Sequence, residues 1–354
     1  MKTIRIICNA ILHPILGLTL NLVSLALAVV GLTQYKNDAF FSLLFIIPFL
    51  MCILLTISLT IISRYLSKLQ TNEKKALNVA FRDNLHDVLS EHKNCQSLIS
   101  YAYEQFGSAL SDEYLESLSE VFSEGDAEEI IIDEINKKEI FRDFYKDIKR
   151  ANNTFFKAVV ESLRNVVEYN VNTLNNNDLK VAVCIKQLSR CHHKQGRQIP
   201  DDLNVYAVYR NEVAYKAGRE IGHSYQVNAN TTFRACLLYD NFREAVFIEN
   251  DIPKAIEDGK YDCENKNDLL ANKTYNATMV VPITHKDATE KYYYGYLCID
   301  TVANVKNAFV KDELLSIMQC YSDLLAAHYH LISMYFPFIF DYVYDQHKKQ
   351  ETTV

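Results

Sequence analysis

Two long apolar runs near the N-terminus constrain this chain more than any other feature. They cover residues 6–32 and 40–62, contain no Asp, Glu, Lys or Arg, and each exceeds the roughly 20 residues that a helix needs to cross a bilayer. A cleaved signal peptide has a shorter apolar core, of roughly 7–15 residues, and is not followed so closely by a second apolar run. The sequence therefore predicts a transmembrane hairpin over residues 1–70.

Basic residues near the ends of the two runs indicate how the hairpin is oriented. Lys and Arg that flank a span stay preferentially on the cytoplasmic side. The turn between the runs contains only Lys36, which Asp38 offsets. The basic residues of the outer flanks are Lys2, Arg5, Arg64, Lys68, Lys74, Lys75 and Arg82. We therefore expect a two-span protein of the inner or plasma membrane with both termini in the cytoplasm.

The net charge and the cysteine pattern of the chain argue against certain partners and sites. Lys plus Arg number 37 against 44 Asp plus Glu, a net charge of −7, which argues against nucleic acid as a partner. The nine cysteines include no C-x-x-C pair, so the sequence predicts neither a disulfide framework nor a zinc site. Free thiols fit the reducing cytoplasm that the orientation of the hairpin implies.

The region that follows the hairpin has the pattern of helices. Residues 71–175 contain no proline, and only Gly107 and Gly125 interrupt the apolar periodicity, so helix breaks are expected near both glycines. Apolar residues between positions 140 and 166 recur every three or four residues. This spacing favours either a helix that pairs two protomers or a helix packed on its own domain. We assign residues 71–150 to a helical linker or signalling region.

Beyond residue 177 the pattern changes to short runs of β-branched and aromatic residues, which are typical of strands. Strands are predicted over residues 179–185, 205–209, 245–248, 278–283 and 292–299. A short helix is predicted over residues 231–240 and a long amphipathic helix over 311–334. This order predicts an α+β domain over residues 151–335, with an antiparallel sheet and helices packed on one face. The aromatic start of the remaining tail, residues 336–354, is expected to pack on that domain.

A proline-containing strand and a glycine-containing strand carry a family resemblance. They read Met279-Val280-Val281-Pro282-Ile283 and Gly295-Tyr296-Leu297-Cys298-Ile299-Asp300, and Phe309 and the long helix follow them. In this order they resemble the C-terminal half of a GAF domain. The likeness covers residues 153–333 in predicted topology and 278–325 in recognisable residues. It implies a GAF-like antiparallel sheet with flanking helices and a ligand pocket, and it identifies no cofactor.

In a GAF-like arrangement, the segment between the second strand and the proline-containing strand covers the pocket. Three arginines with aromatic residues nearby favour a small anionic ligand, because a guanidinium group binds a carboxylate or phosphate through two parallel hydrogen bonds. The candidate ligand-binding residues are Tyr206, Tyr209, Arg219, His223, Arg234, Asp240 and Arg243. Each charge is also typical of an ordinary surface residue. The sequence predicts no metal site.

Motifs for nucleotide hydrolysis, dinucleotide binding, acyl transfer and metalloprotease chemistry are not found in the sequence, so no enzymatic activity is predicted. Two functions fit the predicted architecture. The first is a membrane-anchored sensory or regulatory protein whose GAF-like domain binds a ligand or partner and relays this through helices. The second is a bacterial anti-phage or nucleotide-signalled effector whose sensor gates membrane disruption by the hairpin. The expected partners are the lipid bilayer, a small anionic ligand and a second copy of the chain.

Overall fold

A computed structural model describes residues 39–121, 128–175, 179–193, 199–212, 224–238, 245–264, 275–286, 291–301 and 311–336, with a few isolated positions besides. The first predicted span, residues 6–32, lies almost wholly outside this part of the chain. The second predicted span lies within a helix, but most of its side chains are outside the described part. Across the residues that the structure does describe, no helix combines the length and the hydropathy needed to cross a membrane.

The chain forms two compact units, Met1–Val79 and Ala80–Val354. Position 151, where the sequence placed the start of the sensor domain, lies within a helix. The elements, in chain order, are α1 (Ala39–Val121), α2 (Glu128–Asn175), β1 (Val181–His193), β2 (Asn204–Arg210), β3 (Ser224–Gln226), α3 (Thr231–Leu238), β4 (Phe247–Glu249), α4 (Ile252–Glu257), β5 (Ala277–Lys286), β6 (Lys291–Thr301) and α5 (Lys311–Tyr335). The predicted α+β class is confirmed.

The six strands form one antiparallel sheet in the order β3-β2-β1-β6-β5-β4. Cys184 of β1, Cys298 of β6 and Val280 of β5 are in register across its centre. Their side chains join a buried cluster with Phe233 and Cys236 of α3, so α3 covers this face of the sheet. Helices α2 and α5 pack on the other face. The expectation that all helices lie on one face is therefore wrong.

One of the two expected helix breaks is absent. Helix α1 continues through Gly107 to Val121, whereas α2 begins at Glu128, as expected from Gly125. A glycine in a helix costs only about 1 kcal/mol relative to alanine. Burial of neighbouring Ala102 and Phe106 outweighs that cost, because both side chains are under 6 % exposed.

The periodic face of α2 is buried within its own domain. Phe155, Val159, Leu163 and Val166 are completely buried. The hydroxyl groups of Ser162 and Tyr321 are hydrogen-bonded to each other and join α2 to α5. Of the two interpretations of this spacing, the structure shows the helix packed on its own domain.

The start of the C-terminal tail packs on the same unit, as expected from its aromatic residues. The ring of Phe336 lies 4.9 Å from that of Phe141 on α2 and 5.5 Å from that of Phe106 on α1. Phe340 lies 5.7 Å from Tyr294 of β6. These ring contacts attach the start of the tail to α1, α2 and β6.

Candidate functional site

The structure describes three of the seven predicted pocket residues and does not bring them together. Tyr206 is buried, and its hydroxyl accepts a hydrogen bond from Gln187 Nε2 at 2.8 Å. Tyr209 is half-buried beside α2. Arg234 is exposed on α3, on the other side of the sheet. The other four candidates, Arg219, His223, Asp240 and Arg243, lie outside the described residues.

A bulge in β2 decides which side chains face α3. Ile185 pairs with Tyr209 and Lys186 pairs with Ala207, so Val208 is an extra residue without a partner on β1. Such a residue reverses the alternation of side chains along a strand. Arg210, which a regular strand would direct towards α2, therefore lies on the α3 side opposite Cys184.

Arg210 is a deeply buried cation that the sequence analysis missed. Its side chain is 4 % exposed, and its Nε atom has no hydrogen-bond partner in the described part of the protein. The next residue, Asn211, fixes the end of β2, because its amide accepts from Val183 N at 3.1 Å and donates to Val181 O at 2.9 Å. The end of β2 that carries Arg210 is thus held in place.

The surroundings of Arg210 keep it charged. Burial lowers the pKa of its guanidinium, but Cys184, Tyr225 and the Asp300 carboxyl counteract this, and the net pKa is raised. Asp300 is 8 % exposed and lies on the same face of the sheet. A buried charge is costly unless other charges or hydrogen bonds compensate it. The site can therefore offer a charge-assisted hydrogen bond to an anion.

Lys186 places a second cation on this face. Its Nζ lies 4.8 Å from the centre of the Tyr225 ring and 4.5 Å from that of the Phe233 ring, within cation–π distance of both. The side chain is half-buried. The aromatic rings orient the ammonium group from β3 and α3, so that strands β1 to β3 and helix α3 together build a cationic, partly aromatic surface.

Three buried thiols lie in the same cluster, and burial disfavours the thiolate form of two of them. Burial raises the pKa of Cys236 to about 12, and burial raises the pKa of Cys298 well above its usual value. Cys184 is also buried. A nucleophilic cysteine needs a lowered pKa and access to its substrate. The arrangement therefore favours binding over covalent catalysis.

The sequence positions of Arg210 and Asp300 could have identified them as candidates. Each comes directly after a predicted strand, 205–209 or 292–299, and a charged residue there marks either the edge of the core or a site. No local sequence pattern reveals the bulge that places Arg210 on the same face of the sheet as Asp300.

In the described residues, no group of three or more His, Cys, Asp or Glu side chains is arranged to hold a metal.

Comparison with known protein families and with curated proteins finds no match to this chain.

Proposed function

We propose that this protein is a membrane-anchored regulatory protein whose sheet binds a small anionic ligand on the face covered by α3. The observation that carries the proposal is the buried guanidinium of Arg210, whose Nε has no hydrogen-bond partner among the described residues. Leaving such a donor without a partner costs about 1–3 kcal/mol or more. An anion that accepts from Arg210 and interacts with Lys186 removes this cost.

The placement of the motif residues supports a GAF-like domain. The proline-containing stretch lies in β5 and the glycine-containing stretch in β6, which are neighbours in the centre of the sheet. Helix α5 follows them and packs on β5, where Ser322 Oγ donates to Pro282 O at 2.7 Å. The strand order and the two layers of helices are compatible with a ligand pocket beneath α3.

The proposed anchor is the hairpin over residues 1–70, with both termini in the cytoplasm. Support comes from the apolar runs and from a cationic cluster just after the second one. In the first unit, Arg64, Lys68 and Lys75 line a common groove with Ser67, Thr71 and Asn72. Basic clusters next to a span favour the anionic cytoplasmic surface of a membrane.

A search for retained ligands tests the ligand site. The full-length protein is purified in neutral detergent and heated, and the released small molecules are identified by mass spectrometry. We expect an anionic compound from the wild type and from Arg234→Met, an exposed control, but not from Arg210→Met. Arg210→Lys keeps the charge and controls for loss of folding. No retained anion, or equal retention by Arg210→Met, would refute the site.

The effector function remains a second candidate because of one feature of α1. This helix runs from Ala39 to Val121 and so contains both the second predicted span and the first residues of the second unit. A continuous helix can transmit a rotation or shift from a ligand site to a hairpin. Under this proposal, ligand binding gates membrane disruption by residues 1–70.

A further inference from the structure

A cleft between α2 and β2 is lined by cationic and hydrogen-bonding side chains. It has a volume of about 440 Å³ and is bounded on one side by Tyr209 of β2. The α2 residues that line it are Lys146, Lys149, Arg150, Asn153, Thr154 and Lys157. The cleft lies on the α2 side of the sheet, whereas Arg210 lies on the α3 side, so the two sites are separate.

Helix geometry explains why these side chains share one face. They recur at steps of three or four residues, close to the 3.6 residues of one helical turn. Lys146 and Lys157 are eleven residues apart, which is about 16 Å along the helix axis. One phosphate cannot contact both ends of this row. Two or three anionic groups can, because lysine side chains are long and flexible.

Among the described side chains, carboxylates neutralise only part of the positive charge of the cleft. Arg150 Nη1 lies 3.5 Å from the Asp147 carboxylate, and both side chains are more than 70 % exposed. Within the described part of the chain, Lys146, Lys149 and Lys157 form no ion pair. Further along α2 the charges are matched, since Arg164 lies 2.7 Å from Glu161. Positive charge therefore accumulates along the segment that lines the cleft.

We propose that this cleft binds a molecule that carries two or more phosphate groups. Lysine binds phosphate as a point charge, and several cations along one groove select for several phosphates. Tyr209 adds a half-buried ring and hydroxyl at the side of the cleft, suited to the organic part of such a ligand. The phosphates belong either to a soluble compound or to a lipid headgroup.

The test uses the full-length protein in neutral detergent and three probes. Inorganic tripolyphosphate and adenosine triphosphate are titrated by calorimetry at low salt, and cardiolipin in micelles of the same detergent is titrated against phosphatidylcholine in the same micelles. The cleft variant is Lys149→Gln with Lys157→Gln. The matched control is Lys254→Gln with Lys260→Gln, which removes the same charge from two exposed lysines outside the cleft.

We expect the wild type to bind at least one phosphate probe, with affinity that falls as salt is raised. The cleft variant should bind that probe about tenfold more weakly, and the control less than twofold more weakly. Binding of a soluble probe identifies a soluble ligand, whereas binding of cardiolipin alone identifies a lipid headgroup. The proposal is overturned if the wild type binds none of the three probes, or if both double variants lose affinity equally. Arg210→Met should leave this binding intact, which separates it from the ligand site under α3.

Discussion

Gly295 of β6 lies directly against the backbone of Lys186 on β1. A Cβ atom at position 295 would overlap the carbonyl oxygen of Lys186 and would lie 2.9 Å from its carbonyl carbon. The pairing of β1 with β6 shifts register at this point, immediately after the pair Gln187 and Gly295. Only glycine permits so close an approach of the two strands.

Replacing Gly295 with alanine should therefore destabilise the protein. Displacing the β1 backbone is expected to lower the free energy of unfolding by about 2–3 kcal/mol, measured by chemical denaturation. The control is Gly107→Ala in α1, where an added Cβ meets nothing within 4 Å. Alanine there should raise stability by about 0.5–1 kcal/mol. Similar changes at both positions would contradict the register of β1 and β6.

His328 of α5 gives the protein a pH-dependent stability. It is completely buried, its Nε2 lies 3.1 Å from Asn152 Oδ1, and its ring contacts those of His92 and Phe155. Burial, with a smaller contribution from His92, lowers the pKa of His328 to about 3. The unfolded chain takes up a proton near pH 6.5, so the stability present above that pH is lost as pH falls towards 3.

Because of His328, lowering the pH from 7 to 5 should lower the free energy of unfolding by about 2 kcal/mol. In His328→Phe the free energy of unfolding should change less over this interval. The control is His86→Gln, since the side chain of His86 is 86 % exposed. Chemical denaturation at both pH values measures the difference. An unchanged pH dependence in His328→Phe would show that His328 is not buried in its neutral form.

Leu297 tests which face of β6 contacts the core on the α2 and α5 side. It is completely buried, as is Tyr296 on the opposite face. Leu297→Asp would bury an unpaired carboxylate and should cost at least about 3 kcal/mol. Leu98→Asp in α1 is the control, because Leu98 is 53 % exposed. If the thermal midpoints of both variants match the wild type, the assignment of β6 to the centre of the sheet is wrong.

A glycine insertion tests whether α1 transmits a signal. Four glycines after Val79, at the boundary between the two compact units, should leave the second unit folded because no strand is interrupted. Each glycine weakens the helix by about 1 kcal/mol, so coupling through α1 should be lost. The measurement is any membrane-dependent phenotype of cells that express the protein. Full activity with normal localisation would exclude the effector function and leave the hairpin as a tether.

The sequence alone determined the fold class and most of the elements. Strands β5 and β6 were predictable as short runs of β-branched and aromatic residues, and helix α5 was predictable because its apolar residues recur with the 3.6-residue period of a helix. Both signals depend only on the local sequence. Gly295 was also visible in the sequence, as part of the glycine-containing strand. The helix break predicted at Gly107 is absent because burial of the neighbouring side chains, which is a tertiary effect, outweighs the low helix propensity of glycine.

The position of the candidate site was decided only by the tertiary structure. Tyr206 and Tyr209 are three residues apart and would lie on opposite faces of a regular strand, yet the bulge at Val208 places both on the α2 side. The same bulge directs Arg210 towards α3, so that Arg210 and Asp300 lie on the same face of the sheet. A bulge depends on how one strand pairs with its neighbour, and pairing between β1 and β2 is a long-range contact that a local sequence pattern does not encode.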